Sequence, residues 1–465
     1  MALLPAQDRN FTLSVPLVII GGGACGSVAA LAAHEQGAEV VILERDLVSR
    51  GDTALSSAQI PAAGTRLQKA AGLQDSWEVL ERDLLAKNKG QCDHAVARHV
   101  AQASAGAVDW LVDRHELPLS CFTGFAYPGN SGPHMHATPN RLGSELMAGL
   151  SRALAVQGIA SVNAARVTDL YVGASSNIEG IAYLRPDGQR ETVGCKALIL
   201  ASGGFGANRE LVRRHIPAMA DAHHHGHEGN DGCAVLWGQE LGAALMDMGS
   251  FQGHGAVCTP HMAQLSWGAF SQGGFQVNGT GSRFSNEMHG VSEQALKVLG
   301  QPGGVAWAIW DRRCDALASH IHSHVEARKS GAVSSFATAA ELAAFVGCDA
   351  VAMANTIEEV EACAQGRAVC PWGRDFTKFP TLQAPYLAAK ITGALFHTQG
   401  GLAITPDGRV LRSDGSAFPN LFAAGGAARG LSGHADWGYL PGSGLLGAIT
   451  MGKTAGAAAG ALAMR

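Results

Sequence analysis

The sequence predicts an α/β fold, a parallel sheet assembled from distant parts of the chain, with an α+β domain inserted into it. Three observations predict this. The apolar run from Val15 to Ile20 leads directly into Gly21-Gly22-Gly23-Ala24-Cys25-Gly26 and then into an Ala-rich helical stretch ending near Gly37. Two further apolar runs, Ala197 to Ala201 and Leu421 to Ala424, also end in glycine pairs, Gly203-Gly204 and Gly425-Gly426. Between them, roughly from Phe251 to Ala384, mixed helical and strand patterns occur without such junctions.

The first junction carries the most information. A buried strand, a glycine turn and a helix follow in order, and a second apolar run, Val40 to Leu43, ends at Glu44, about 20 residues beyond the glycines. Glycines at the turn let the backbone approach a pyrophosphate, the helix N-terminus offers it unpaired N–H groups, and an acid at the next strand end accepts from a ribose hydroxyl. This is the Rossmann-like layout for a dinucleotide. The second and third runs are expected as sheet strands whose C-terminal ends meet the same ligand. No second complete fingerprint occurs, so a nicotinamide-binding domain is not expected.

The chain has 465 residues, beyond the size at which one core keeps growing, so two domains are expected: 1–250 with 385–465, and an inserted 251–384. With 16% charged residues and a net charge of −5, nothing points to nucleic acid or an anionic membrane surface as partner. The ten cysteines show no CxxC spacing, which argues against a zinc ribbon or a disulfide framework. The first 15 residues lack a basic region followed by a long apolar stretch, and no later run approaches the ~20 apolar residues of a membrane span. A cytoplasmic protein is expected, and the apolar Gly452–Ala463 stretch is read as a packed helix.

Together with TALSSAQIPAAGT (Thr53–Thr65), Asn230-Asp231-Gly232, Val277-Asn278 through Arg283-Phe284-Ser285-Asn286-Glu287, and His397-Thr398-Gln399-Gly400-Gly401, these motifs resemble the flavoprotein superfamily of fumarate reductases, succinate dehydrogenases, tricarballylate dehydrogenase and 3-ketosteroid dehydrogenases. The resemblance covers nearly the whole chain. It implies FAD, a capping domain over the FAD-binding domain, and a substrate held at their junction. To Gly21, Gly23, Gly26 and Glu44 it adds Arg45, Thr53, Ser56, Ser57, Val167, Ala201, Gly203, Asp231, Gly425, Ser443 and Leu445 as cofactor-binding residues.

Departures from the family pattern shape the functional expectation. The histidine that carries FAD covalently in succinate dehydrogenases is replaced by Asp52, so non-covalent FAD is expected. The acidic residue after the third Ala-Gly junction is replaced by Gly426. Where fumarate reductases place a proton-donating arginine stands Val291, and their two carboxylate-clamping arginines fall on Phe270 and Tyr439. Without planar guanidinium forks a dicarboxylate is a poor substrate. Two pocket histidines are kept, as His254 and His397.

Tyr439 lies in Tyr439-Leu440-Pro441-Gly442-Ser443-Gly444, similar to segments of tricarballylate and ketosteroid dehydrogenases; in the latter the tyrosine hydroxyl and a glycine N–H bind the ketone. Such an oxyanion site acidifies the adjacent C–H while the neighbouring carbon gives hydride to the flavin. The expected activity is therefore FAD-dependent oxidation or reduction of the CH–CH bond α,β to a carbonyl in a small neutral or monocarboxylic substrate, cyclic ketones included. Tyr439 is expected to polarise the carbonyl, with His254, His397 or His289 handling the proton. Phe270, Tyr127, His136 and Gly442 are expected at the substrate. An unidentified molecule would supply or remove electrons. The alternatives are a di- or tricarboxylate dehydrogenase or fumarate-type reductase, which predicts that arginines from other positions, such as Arg141 or Arg283, reach the substrate, and an electron-transfer flavoprotein subunit. His223-His224-His225-Gly226-His227 and His320, His322, His324 invite a metal, but no metal is expected: the family needs none at the first cluster, and His322 faces away from His320 and His324 on a helix.

Overall fold

The computed structural model describes residues 2–7, 10–122 and 127–465. Its first sheet has five parallel strands in the order Ala160–Val162, Val40–Leu43, Leu13–Ile20, Arg190–Leu200, Ala417–Ala423. The last residues of Leu13–Ile20 are buried on both faces, as a central parallel strand requires. The chain runs outward on one side of this strand and returns on the other, pairing Leu200 with Ile20, so the switch point opens at the carboxyl end of both. An antiparallel extension, Arg166–Val172 and Ile178–Leu184, continues from the first half of Arg190–Leu200. The fold class is the expected one.

The helix Ala24–Glu35 is almost entirely buried, and the C-terminal helix Ser443–Ala463 lies against it. Gly452, Gly456 and Gly460, four residues apart and hence on one face, meet the backbones of Cys25, Ala29 and Ala33; a β-carbon at Gly456 would stand 2.2 Å from the carbonyl oxygen of Ala29. This helix corrects the expected segment length. It begins nine residues before Gly452, and its 21 residues are long and apolar enough to cross a membrane, yet half of that stretch is buried inside the protein.

The second sheet is organised by the 13-residue strand Tyr386–Thr398, paired antiparallel with Phe251–Cys258 and Val305–Asp311. Its first residues carry Ser334–Phe336, and its last residues carry the short parallel strand His223–His224. That strand therefore delivers Phe396 and His397 from the cap side to the carboxyl ends of the first sheet. Near the second sheet, Glu287 bonds both Arg283 (3.0 Å) and Arg374 (2.7 Å), all three buried.

Candidate active site

At the end of Leu13–Ile20 the backbone turns through Gly21, whose φ of +104° suits glycine. Gly26 packs the following helix onto this turn: a β-carbon there would stand 1.9 Å from the Gly21 carbonyl oxygen. Glu44 lies directly beyond its strand and accepts from the N–H of Gly22 (2.7 Å) and of Asp46 (2.9 Å). Thr53 Oγ1 accepts from the first helical N–H, Ala24, at 3.2 Å. Arg45 bonds Asp231 at 3.0 Å.

These groups open onto a cavity of about 680 Å³ lined by Gly21, Gly23, Glu44, Arg45, Thr53, Ser56, Ser57, Val167, Ala201, Gly203, Asp231, Gly425, Ser443 and Leu445. Gly26 does not line it; its role is close packing. At Gly426 a β-carbon would stand 2.8 Å from the Gly204 nitrogen, so the two junctions meet backbone to backbone, with no room for the family's acid.

The same cavity is walled at its other end by Tyr439, Gly442, His397, His254 and Tyr127. Gly442 and the N-terminus of Ser443–Ala463 present backbone N–H groups to Tyr439: burial pushes its phenol up to about 12, and the N–H groups of Gly442 and Gly444 pull it back. Tyr439 therefore stays protonated, and its oxygen is polarised from behind. The His397 ring meets it edge-on, centroids 5.5 Å apart. Gln399 Nε2 stands 3.0 Å from His397 Nδ1, and burial holds the imidazole below its ordinary value, against an opposing pull from Asp52. His254 Nδ1 accepts from the Ala256 N–H at 3.2 Å, leaving Nε2 as the ring's N–H, and burial lowers its pKa to about 3. Gln59 Nε2 donates to the Tyr127 hydroxyl at 3.1 Å.

Three expected residues stand elsewhere. Phe270 is buried in the cap core, and its neighbour in space, Trp267, lines the cavity instead, with centroids 4.9 Å apart. His136 is fully buried behind the wall, with Nε2 2.8 Å from Thr65 Oγ1 and Nδ1 2.9 Å from the His134 carbonyl oxygen. His289 is exposed outside the cavity, and its carbonyl accepts from Lys87 Nζ at 3.1 Å. Arg141 and Arg283 do not line it either: Arg141 donates to the His320 carbonyl, and Arg283 is held by Glu287.

Sequence reasoning missed Trp267, Phe396 and Asp52 as cavity walls, while His223–His225, in the loop that the resemblance puts near the flavin, line it too. His254 stacks on Phe396, centroids 5.2 Å apart, and His225 lies 5.0 Å from the same ring. The run of histidines was visible in the sequence; what it lacked was the pairing of His223 and His224 with Ala394 and Leu395, which brings it beside Phe396.

The family model described as FAD binding domain matches residues 17–445. The chain belongs to that family. This FAD-binding chain is 27% identical over 444 residues to a probable fumarate reductase, Ifc3, of Shewanella frigidimarina, covering 95% of this chain and 74% of that protein. It is also 27% identical to a urocanate reductase of Eggerthella lenta over 479 residues, covering 99% and 77%. Among solved structures, the open conformation of a flavocytochrome c3 fumarate reductase superposes with a TM-score of 0.82 at 26% identity, covering 98% of this chain and 80% of that one. The 3-ketosteroid-Δ4-(5α)-dehydrogenase of Rhodococcus jostii in complex with 4-androstene-3,17-dione superposes with a TM-score of 0.79 at 24% identity, covering 99% of each chain, a likeness of fold.

The residues present fit FAD. Glu44 keeps acceptor capacity for a ribose, the Ala24 end of the helix suits a pyrophosphate, and the buried Ser443 Oγ beside the cavity has no protein partner among the described residues. The protein is an FAD-dependent oxidoreductase, and the flavin supplies hydride acceptance and donation.

Proposed function

We propose that this enzyme acts on the CH–CH bond α,β to a carbonyl in a small neutral or monocarboxylic substrate, cyclic ketones included. The observation that carries this reading is Tyr439, a protonated phenol backed by the N–H groups of Gly442 and Gly444 in the cavity wall. Its hydroxyl donates to the substrate carbonyl oxygen, which acidifies the α C–H and stabilises the enolate formed in either direction. His254 serves as a fixed N–H donor. His397, which burial keeps below its ordinary pKa against an opposing pull from the nearby Asp52, exchanges the α proton. Residues 251–384 act as the cap that closes over the substrate.

The arginines support a substrate without two carboxylates. Among the described residues, those lining the cavity are Arg45, Arg166 and Arg429; Arg45 is bonded to Asp231, Arg429 to Asp247 (2.8 Å) and Asp93 (3.1 Å), and Arg166 is exposed at the Glu44 end. Val291 lines the cavity where the family's proton-donating arginine is expected, and a valine has no proton to give. FAD is held without a covalent bond, the protein works in the cytoplasm, and its electrons are exchanged with an unidentified second partner.

The names of its relatives favour a second reading, a fumarate-type reduction. Anaerobic bleaching of the flavin by a panel of cyclic ketones, ketosteroids, succinate and tricarballylate separates the two. Bleaching by a ketone, lost in Tyr439→Phe, supports the carbonyl reading; bleaching by the carboxylates alone overturns it.

A further inference from the structure

We propose that Asp52 is a redox-tuning residue that lowers the potential of the bound flavin and tilts hydride exchange toward reduction of the substrate. Asp52 lies in the short helix Gly51–Leu55, next to Thr53, and lines the cavity. Its carboxylate is held from two directions by the loop that closes that side of the cavity: Oδ1 accepts from the His227 N–H at 2.7 Å and Oδ2 from Asn230 Nδ2 at 2.7 Å. The loop leaves no slack around it. A β-carbon on Gly226 would stand 3.0 Å from Oδ1 and 2.1 Å from the Phe396 carbonyl oxygen.

Among the described residues, the imidazoles that wall the cavity around Asp52 bring it no compensating charge. His225 is pushed down to about 4, and burial lowers His224 and His397 as well, so at neutral pH these rings are uncharged. The Gly226 position that meets Asp52 Oδ1 also meets the carbonyl of Phe396, the residue before His397, and Asp52 opposes the fall at both His224 and His397, so it stands toward the reacting end of the cavity as well as beside Thr53. Other polar groups of this wall are paired or turned outward: Arg45 bonds Asp231, His227 Nε2 stands 2.8 Å from Asp46, and Glu228 is exposed.

When the substrate C–H bond breaks and its electron pair passes to the flavin as hydride, the cofactor gains negative charge. A fixed carboxylate in the same low-dielectric cavity opposes that gain. The oxidised form is favoured, the reduced form becomes the stronger hydride donor, and the proton bookkeeping at the substrate is unchanged.

The test is the midpoint potential of the purified holoenzyme, read by equilibration with redox dyes for the wild type, Asp52→Asn and Asp52→Glu. Asp52→Asn is expected to move the midpoint to a more positive value, raising the ratio of reduced to oxidised flavin at the wild-type midpoint by about tenfold or more. Asp52→Glu, which keeps the charge, is expected to stay near the wild type. If Asp52→Asn does not retain FAD, Asp52→Ser removes the charge while leaving an acceptor for the His227 N–H and gives the same reading. A neutral variant that keeps its FAD and the wild-type potential, whatever its melting temperature, reduces Asp52 to a structural tie and overturns the proposal. This outcome is independent of which substrate the enzyme uses.

Discussion

His254 Nδ1 accepts a hydrogen bond from the backbone N–H of Ala256, two residues on, and this one contact fixes the ring as an Nε2–H donor. Burial of the same ring sets a pH dependence. The folded pKa of about 3 lies below the ordinary histidine value of 6.5, so between those values the unfolded chain binds a proton that the folded protein refuses. Stability therefore rises with pH through that window and is lost as pH falls through it. His225, at about 4, acts in the same direction. Melting temperatures of the wild type between pH 4 and 7 should climb, and His254→Gln should climb less steeply; equal slopes would contradict the assignment.

Removing the Tyr439 hydroxyl is expected to cost on the order of 10²-fold to 10³-fold in kcat, as loss of one oxyanion donor does, with little change in FAD content. Stopped-flow reduction of the flavin by the substrate that bleaches it measures this in Tyr439→Phe. Equal reduction rates would remove Tyr439 from the chemistry.

Gly26→Ala should yield protein without the visible flavin spectrum. The added carbon has to stand 1.9 Å from the Gly21 carbonyl, so either the helix or the turn must move, and both ends of the pyrophosphate site depend on that contact. The ratio of flavin absorbance to protein absorbance after purification is the readout.

In the cap, Glu287→Ala leaves Arg283 and Arg374 buried without their carboxylate. A loss of about 3–5 kcal/mol is expected on urea denaturation, of the size seen when one partner of a buried ion pair is removed. A variant as stable as the wild type would show that backbone carbonyls alone satisfy both guanidinium groups.

With Asp52 at the attachment position, acid precipitation should release all of the flavin into the supernatant as FAD. Flavin remaining with the precipitated chain would mean a covalent bond through another residue.

How much of this was readable in the chain depends on the range of the interactions. The glycine turn, Glu44 and the three sheet strands are local patterns tied to backbone geometry, and they stand where the sequence puts them. Tyr439, His254 and His397 were legible from motifs and do share one cavity. Phe270 failed because a position carried over from a family pattern cannot tell which of two nearby aromatics turns inward: Trp267 lines the cavity, while Phe270 fills the core behind it. His289 failed for a related reason, since the turn before the helix Val291–Leu299 points it outward and Val291 inward. Asp52 was read only for the bond it cannot form, because its partners His227 and Asn230 lie some 175 residues on, a distance no local pattern spans.

The glycine seam between Ala24–Glu35 and Ser443–Ala463 works as a fixed caliper. One helix begins at the pyrophosphate end of the cavity and the other begins behind Tyr439, and the two axes are locked by backbone contacts at Gly452, Gly456 and Gly460 that leave no side chain to adjust. The span from cofactor anchor to carbonyl anchor is thereby held constant. Evolution or engineering toward a larger or smaller substrate has to work through the opposite wall, around Trp267, Val291 and Tyr127, where side chains alone set the available space.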